Sequence, residues 1–186
     1  RRQLRTHLEE IVRDPAAPLL PDDRSDGYGT LTELADAMGD RAGGDGYAAE
    51  RLAILEAAAA RAAGPVAAAT YDAHRLECYR RLGRFSVAEQ MLLASARAMP
   101  DDYNPPARLA RLYLDMGRLD DGRTAIDRAI AMAQGPRRVS MYELRASILH
   151  GLGQTRAAMA SLESAIAILQ KKGDTSAARV AGLRKN

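Results

Sequence analysis

Glycine recurs at a near-constant interval in this chain, and that interval constrains the fold more than any other feature. Gly83 and Gly117 are 34 residues apart and Gly117 and Gly153 are 36 apart. Their settings match: Leu82-Gly83-Arg84-Phe85, Met116-Gly117-Arg118-Leu119 and Leu152-Gly153-Gln154-Thr155. Glycine enters the left-handed conformation without steric cost, and a helix closes readily on such a residue. The spacing predicts a repeated helix–turn–helix unit, with the extra residues of the second interval falling at the Gly135-Pro136 turn.

The apolar residues around each glycine are spaced for helices. The first helix of each pair carries Tyr71, Leu76, Tyr79 and Leu82, then Leu109, Tyr113 and Met116, then Tyr142, Ala146, Leu149 and Leu152. The second helices carry Ala88, Leu92 and Ala96, then Ile126, Ala129 and Ile130, then Ala158, Leu162, Ala165 and Ile166. These sets give each helix one apolar face. Pro100, Pro105 and Pro106 fall between pairs, where a helix stops or begins. Ser140 and Glu143 have capping-box spacing, which predicts a helix start at that point. The apolar content is 47% with only 4% aromatic and no Trp, so the core is Ala- and Leu-rich and suits closely approaching helices. No stretch alternates with the period of a strand.

This pattern resembles the tetratricopeptide repeat family, with units at 69–102, 103–136 and 139–172. The first unit keeps Tyr79, Gly83, Phe85, Ala88 and Pro100 at family positions. The second keeps Leu109, Ala110, Tyr113 and Ala129, and the third Tyr142, Ala146, Ala158 and Ala165. The family's Trp is replaced by Asp72, Pro106 and Tyr142, its usual Leu by Arg75 and Arg145, and a small residue by Leu76. The resemblance implies an all-α fold, a right-handed α-solenoid of stacked antiparallel helix pairs. It also implies a concave groove lined by the first helices. Carried over residue by residue, the groove positions are His74, Glu77 and Arg81, then Asn104, Arg108, Arg111 and Asp115, then Glu143, Ser147 and His150. One family subset grips a chaperone's terminal carboxylate with Lys and Asn. Ala73 and Glu77 stand at two of those places, so that activity is not expected.

The flanks are less regular. Residues 173–186 predict a closing helix, capped by Asp174 or Thr175, with Ala177, Val180, Ala181 and Leu183 covering the last repeat. At the other end, residues 2–13 read as a helix and 14–29, with three prolines and two glycines, as a loop. A short helix follows at 30–38, opened by a Thr30–Glu33 capping box. Residues 39–46 are a Gly/Asp-rich break, and 47–63 form an Ala-rich helix ended by Gly64-Pro65. That helix pairs either with 30–38 as a degenerate repeat or with 66–82 as a neighbour. The whole of 1–68 is expected to cap the first clear repeat.

Charge narrows the partner. Lys and Arg total 27 against 24 acids, a net +3, with the signs interspersed. Only Arg1-Arg2 with Arg5, and Arg184-Lys185, are dense in basic residues, so nucleic acid is not an expected partner. Cys78 is the single cysteine, which excludes an intrachain disulfide. No apolar run approaches the roughly 20 residues of a membrane span. The chain opens on Arg1-Arg2 without Met or a signal-peptide core, and so reads as a piece of a longer protein. The cytoplasm is the expected compartment, with secretion or the periplasm left open.

Two metal-like patterns are present. Asp22, Asp26, Gly27, Thr30 and Glu33 have part of a calcium-loop spacing, but Arg24 stands at a ligand place where it would repel the ion. His74 and Cys78 lie one helical turn apart, two ligands where zinc wants three or four, with His7 and His150 far off in sequence. No nucleophile elbow, phosphate loop or metalloprotease motif is present. The expectation is a protein–protein interaction scaffold, not an enzyme, with no cofactor and no metal. Its partner is a protein or peptide, acidic if Arg81, Arg108 and Arg111 cluster, and self-association is open. The alternatives are a regulatory or accessory segment of a larger enzyme or sensor, and a nucleic-acid-binding helical repeat.

Overall fold

The computed structural model describes residues 1–171, and every regular element among them is helical. The chain divides into two compact units, Arg1–Met91 and from Leu92 onward. The closing helix expected over 173–186 lies outside the described residues.

The first unit contains α1 (Arg2–Arg13), α2 (Pro21–Asp36) and α3 (Arg41–Arg61). A single turn, α4 (Pro65–Ala68), leads through a tight turn at Ala69–Tyr71 into α5 (Asp72–Arg81). Helix α6 (Phe85–Ala98) crosses the boundary between the units. α2 pairs with α3, α1 packs on α2, and α5 packs on α3. Val12, Tyr28, Leu31, Ala35 and Tyr47 form a buried core there.

Two expectations for this region need correction. Residues 21–29 are helix, not loop, so the Thr30–Glu33 pair lies inside α2 and opens nothing. Thr30 Oγ1 donates to the Asp26 carbonyl one turn back at 3.2 Å. The true start is Pro21, with Asp22 and Asp23 in the first turn, where a fixed φ and negative charge both favour a helix N-terminus. The partial calcium-loop pattern is therefore spread along a helix. The break at 39–46 is also shorter than expected. α3 begins at Arg41, capped by Asp40, whose carboxylate accepts the Gly43 N–H at 2.9 Å, and it runs on through Gly43, Gly44 and Gly46.

Only Gly39 is needed for the α2–α3 turn. Its φ is 74°, and the next N–H, Asp40, bonds the Ala35 carbonyl at 2.9 Å. The three recurring glycines have the same geometry, with φ of 68° at Gly83, 71° at Gly117 and 73° at Gly153. Their following N–H groups reach back equally: Arg84 to Tyr79, Arg118 to Tyr113 and Gln154 to Leu149, at 2.8–2.9 Å. Each helix thus closes with the same wrapped terminus. By this criterion α2–α3 is a fourth helix pair of the series, while α3 keeps its contact with α5.

In the second unit α7 (Asn104–Asp115) pairs with α8 (Leu119–Met132), and α9 (Arg138–Gly151) with α10 (Thr155–Lys171). α9 also packs on α7 and α8. Pro105 and Pro106 sit in the first turn of α7, where their missing N–H groups cost nothing. The Ser140–Glu143 pattern does not cap α9. That helix starts at Arg138 after a tight turn at Gly135–Arg137, and Ser140 Oγ donates to the Arg137 carbonyl at 3.4 Å. Leu112, Leu144 and Ile148 are buried outside the single apolar face expected, because α7 and α9 each pack against more than one neighbour.

Two departures from the family's apolar positions are electrostatically answered. Asp72, 1% exposed, lies 3.5 Å from Arg75. Arg145 on α9 reaches Asp127 of α8 at 2.6 Å and Ser161 of α10 at 2.9 Å, tying three helices together.

Candidate partner-binding site

α2, α3 and α5 surround an open pocket of about 560 Å³ in the first unit. Its base is Arg51 of α3, whose side chain is 12% exposed. Arg51 Nε donates to Ser25 Oγ at 3.2 Å, Nη1 to Glu77 Oε2 at 3.2 Å, and Nη2 to His74 Nδ1 at 2.9 Å. Asp26 Oδ1 is 3.8 Å from Nη2. The same His74 Nδ1 also lies 3.5 Å from Glu77 Oε2.

Room for this guanidinium comes from Gly29 on α2. A Cβ at that position would stand 3.3 Å from Arg51 Cζ and 3.4 Å from Nη1. Arg81 of α5 is accommodated likewise. A Cβ at Gly44 of α3 would overlap its Nη2. Arg81 holds Asp36 through two parallel bonds of 2.7 Å and Asp45 through Nε at 2.8 Å. One side chain therefore joins α2, α3 and α5 in a bidentate, charge-assisted contact. The bond to Arg81 holds the Asp36 carboxyl below its usual range.

Cys78 forms part of the pocket wall and is 3% exposed. Burial pushes its thiol up to about 11, so it is neutral near pH 7. Thr30, Thr32, Glu33 and Ala48 complete much of the lining. Glu33 is exposed and meets no cation among the described residues.

The structure brings three of the expected groove residues, His74, Glu77 and Arg81, onto this one pocket. Arg81 is not an open cation there, since its guanidinium is taken by Asp36 and Asp45. The other expected residues lie in the second unit: Asn104, Arg108, Arg111 and Asp115 on α7, and Glu143, Ser147 and His150 on α9. Asn104 Nδ2 donates to Asp102 at 2.8 Å, and Ser147 Oγ to the Glu143 carbonyl at 3.1 Å. Arg111 and His150 are exposed, Arg108 is half-buried, and neither arginine has an ion-pair partner among the described residues. Arg51, the base of the pocket, was not expected from the sequence. The signal was indirect: Gly29 and Gly44, once placed inside helices, mark where large side chains lie against backbone.

Among the described residues no group of three or more potential metal ligands is found, and no helix is long and apolar enough to cross a membrane.

Comparison with known proteins agrees with the geometry. Two tetratricopeptide repeat models match, one over residues 79–148 and the other over 139–169. No curated protein matches the sequence. Among solved structures, a Podosopora anserina protein of kinesin light chain type with nearly identical TPR-like repeats is 19% identical. It has a TM-score of 0.64, over 94% of this chain and 89% of the other. BtubC from P. vanneervenii is 16% identical with a TM-score of 0.58, over 92% of this chain and 73% of the other. MamA of AMB-1 is 18% identical with a TM-score of 0.54, over 91% and 90%. At these identities the likeness is one of fold, and the fold shared is the α-solenoid class expected from the repeats. Residues 79–169 are thus made of tetratricopeptide repeats.

Proposed function

We propose that the chain is a protein-binding scaffold that holds a peptide segment of its partner against the exposed faces of the first helices of its pairs. The observation that carries this reading is the convergence of His74, Glu77 and Arg81 on one open pocket in a tetratricopeptide repeat protein. Helical-repeat surfaces bind by presenting side chains from successive first helices to an extended or helical segment. In the second unit the corresponding residues are Asn104, Arg108, Arg111 and Asp115 with Glu143, Ser147 and His150. Arg108 and Arg111 are three apart on α7 and suit a carboxylate on the partner. In this reading residues 69–172 act as three repeat units, 69–102, 103–136 and 139–172, with 1–68 as an N-terminal cap whose α2–α3 pair continues the series.

The test is capture of partners from the source cell by wild-type protein and by Arg108→Glu with Arg111→Glu. Captured partners should be lost while helicity and melting temperature hold. Unchanged capture by the folded double variant would remove the α7 face from the binding surface.

A further inference from the structure

We propose that the α2–α3–α5 pocket takes a cationic side chain, lysine or arginine, of the partner peptide, an inference that rests on the protein-binding reading above. Two observations meet here: the charge balance of the walls and the prior commitment of their cations. Asp26, Glu33 and Glu77 line the pocket, and Asp36 and Asp45 stand behind Arg81, so the region holds five carboxylates against the two guanidinium groups of Arg51 and Arg81. This local excess of acid sits in a chain whose net charge is +3.

The cations are also already engaged. Every guanidinium nitrogen of Arg51 and of Arg81 has a partner: Ser25, Glu77 and His74 for the first, Asp36 and Asp45 for the second. An incoming carboxylate would have to displace one of these acceptors and pass a rim of like charge. A cation meets acceptors with open capacity instead, since Asp26 and Glu77 each reach Arg51 through one oxygen only. Glu33 has no ion-pair partner among the described residues, and the Asp26 and Glu77 side chains are 73% and 57% exposed. The wall suits the rest of such a side chain. Ala48, Gly29 and the neutral Cys78 thiol offer apolar surface to an aliphatic stem while the head reaches the carboxylates. The pocket thus has the opposite preference from α7, where Arg108 and Arg111 have no ion-pair partner among the described residues.

The test uses the isotope-labelled whole chain and two probes, acetyl-Gly-Arg-Gly-amide and acetyl-Gly-Glu-Gly-amide, followed by amide chemical shifts. The arginine probe should shift Gly29, Ala48, His74 and Cys78, and Glu33→Gln should weaken it about three- to fivefold, as for loss of one exposed ion pair. Glu33 is exposed and has no ion-pair partner among the described residues, so that variant keeps the fold. The glutamate probe should leave these amides in place. The proposal is overturned if the glutamate probe shifts them at least as far, if the arginine probe shifts only residues elsewhere, or if Glu33→Gln binds the arginine probe as the wild type does. Partner crosslinking from position 33 separates the two levels. Crosslinks without a response to the arginine probe would overturn the cationic assignment and leave the protein-binding reading intact.

Discussion

Gly29 lies directly against the guanidinium of Arg51, so close that a side-chain carbon there would come within 3.3 Å of Arg51 Cζ. The same relation, tighter still, holds between Gly44 and Arg81. Each glycine costs its helix up to about 1 kcal/mol relative to Ala. Each is placed where an arginine crosses between helices, and together they let α2, α3 and α5 be joined by ion pairs.

Two glycines of α3 should therefore respond in opposite ways to alanine. Nothing lies within 4 Å of a Cβ built at Gly46, so Gly46→Ala should stabilise by about 0.5–1 kcal/mol through helix propensity alone. Gly44→Ala should destabilise by about 1 kcal/mol net, because Arg81 must leave Asp36 to make room. Urea unfolding of both variants checks the pair. Equal effects of one sign would contradict the role given to Gly44.

Gly39 should behave as a turn glycine of the repeat series. Its φ of 74° matches the 71° of Gly117, and neither has a neighbour within 4 Å of a built Cβ. Alanine at either position should thus cost only the backbone strain, about 1–2 kcal/mol. Thermal unfolding should show similar losses at both sites. A neutral Gly39→Ala beside a costly Gly117→Ala would separate α2–α3 from the other pairs.

Acid should weaken the first unit. The Asp36 carboxyl is held below its ordinary range by Arg81, and Asp40 by the Gly43 N–H and then by Arg5. A carboxyl with a lowered folded-state pKa binds protons more readily when unfolded. Its contribution is complete above the ordinary Asp range, near 3.8, and fades as pH falls through the lower folded value. Urea midpoints should stay level down to about pH 5 and then drop, with a shallower drop for Arg81→Gln. A midpoint that rises on acidification would contradict these ion pairs.

Cys78 should be slow to react. Its thiol is 3% exposed and pushed up to about 11, so both access and thiolate are scarce at pH 8. A thiol-specific dye should label it slowly in buffer and rapidly in denaturant. Rapid native labelling would mean that the α5 face of the pocket opens readily.

The repeats were legible because their signals agree. At Gly83, Gly117 and Gly153, apolar spacing and the left-handed turn point to the same helix ends. In the first unit they conflict. Gly27, Gly29, Gly43, Gly44 and Gly46 read as breaks, but they sit inside helices. A Cβ at Gly27 would overlap Val12 of α1, so that glycine serves a close approach and not a turn. The start of α2 was written in Pro21, Asp22 and Asp23, and the glycines downstream masked it. His74, Glu77 and Arg81 could be named from the repeat register. Arg51 could not, because it lies on the second helix of its pair and reaches the pocket only past Gly29.

The central claim is that a partner protein sits on the exposed faces of the first helices. Site-specific photocrosslinking tests it most directly, with a benzophenone amino acid placed in turn at Glu33 of α2, Arg111 of α7 and Met159 of α10. All three side chains are exposed, and Met159 lies on the second helix of its pair. The account predicts that positions 33 and 111 crosslink one and the same partner and that position 159 does not. Crosslinks from position 159 alone, with none from 33 and 111, would contradict it.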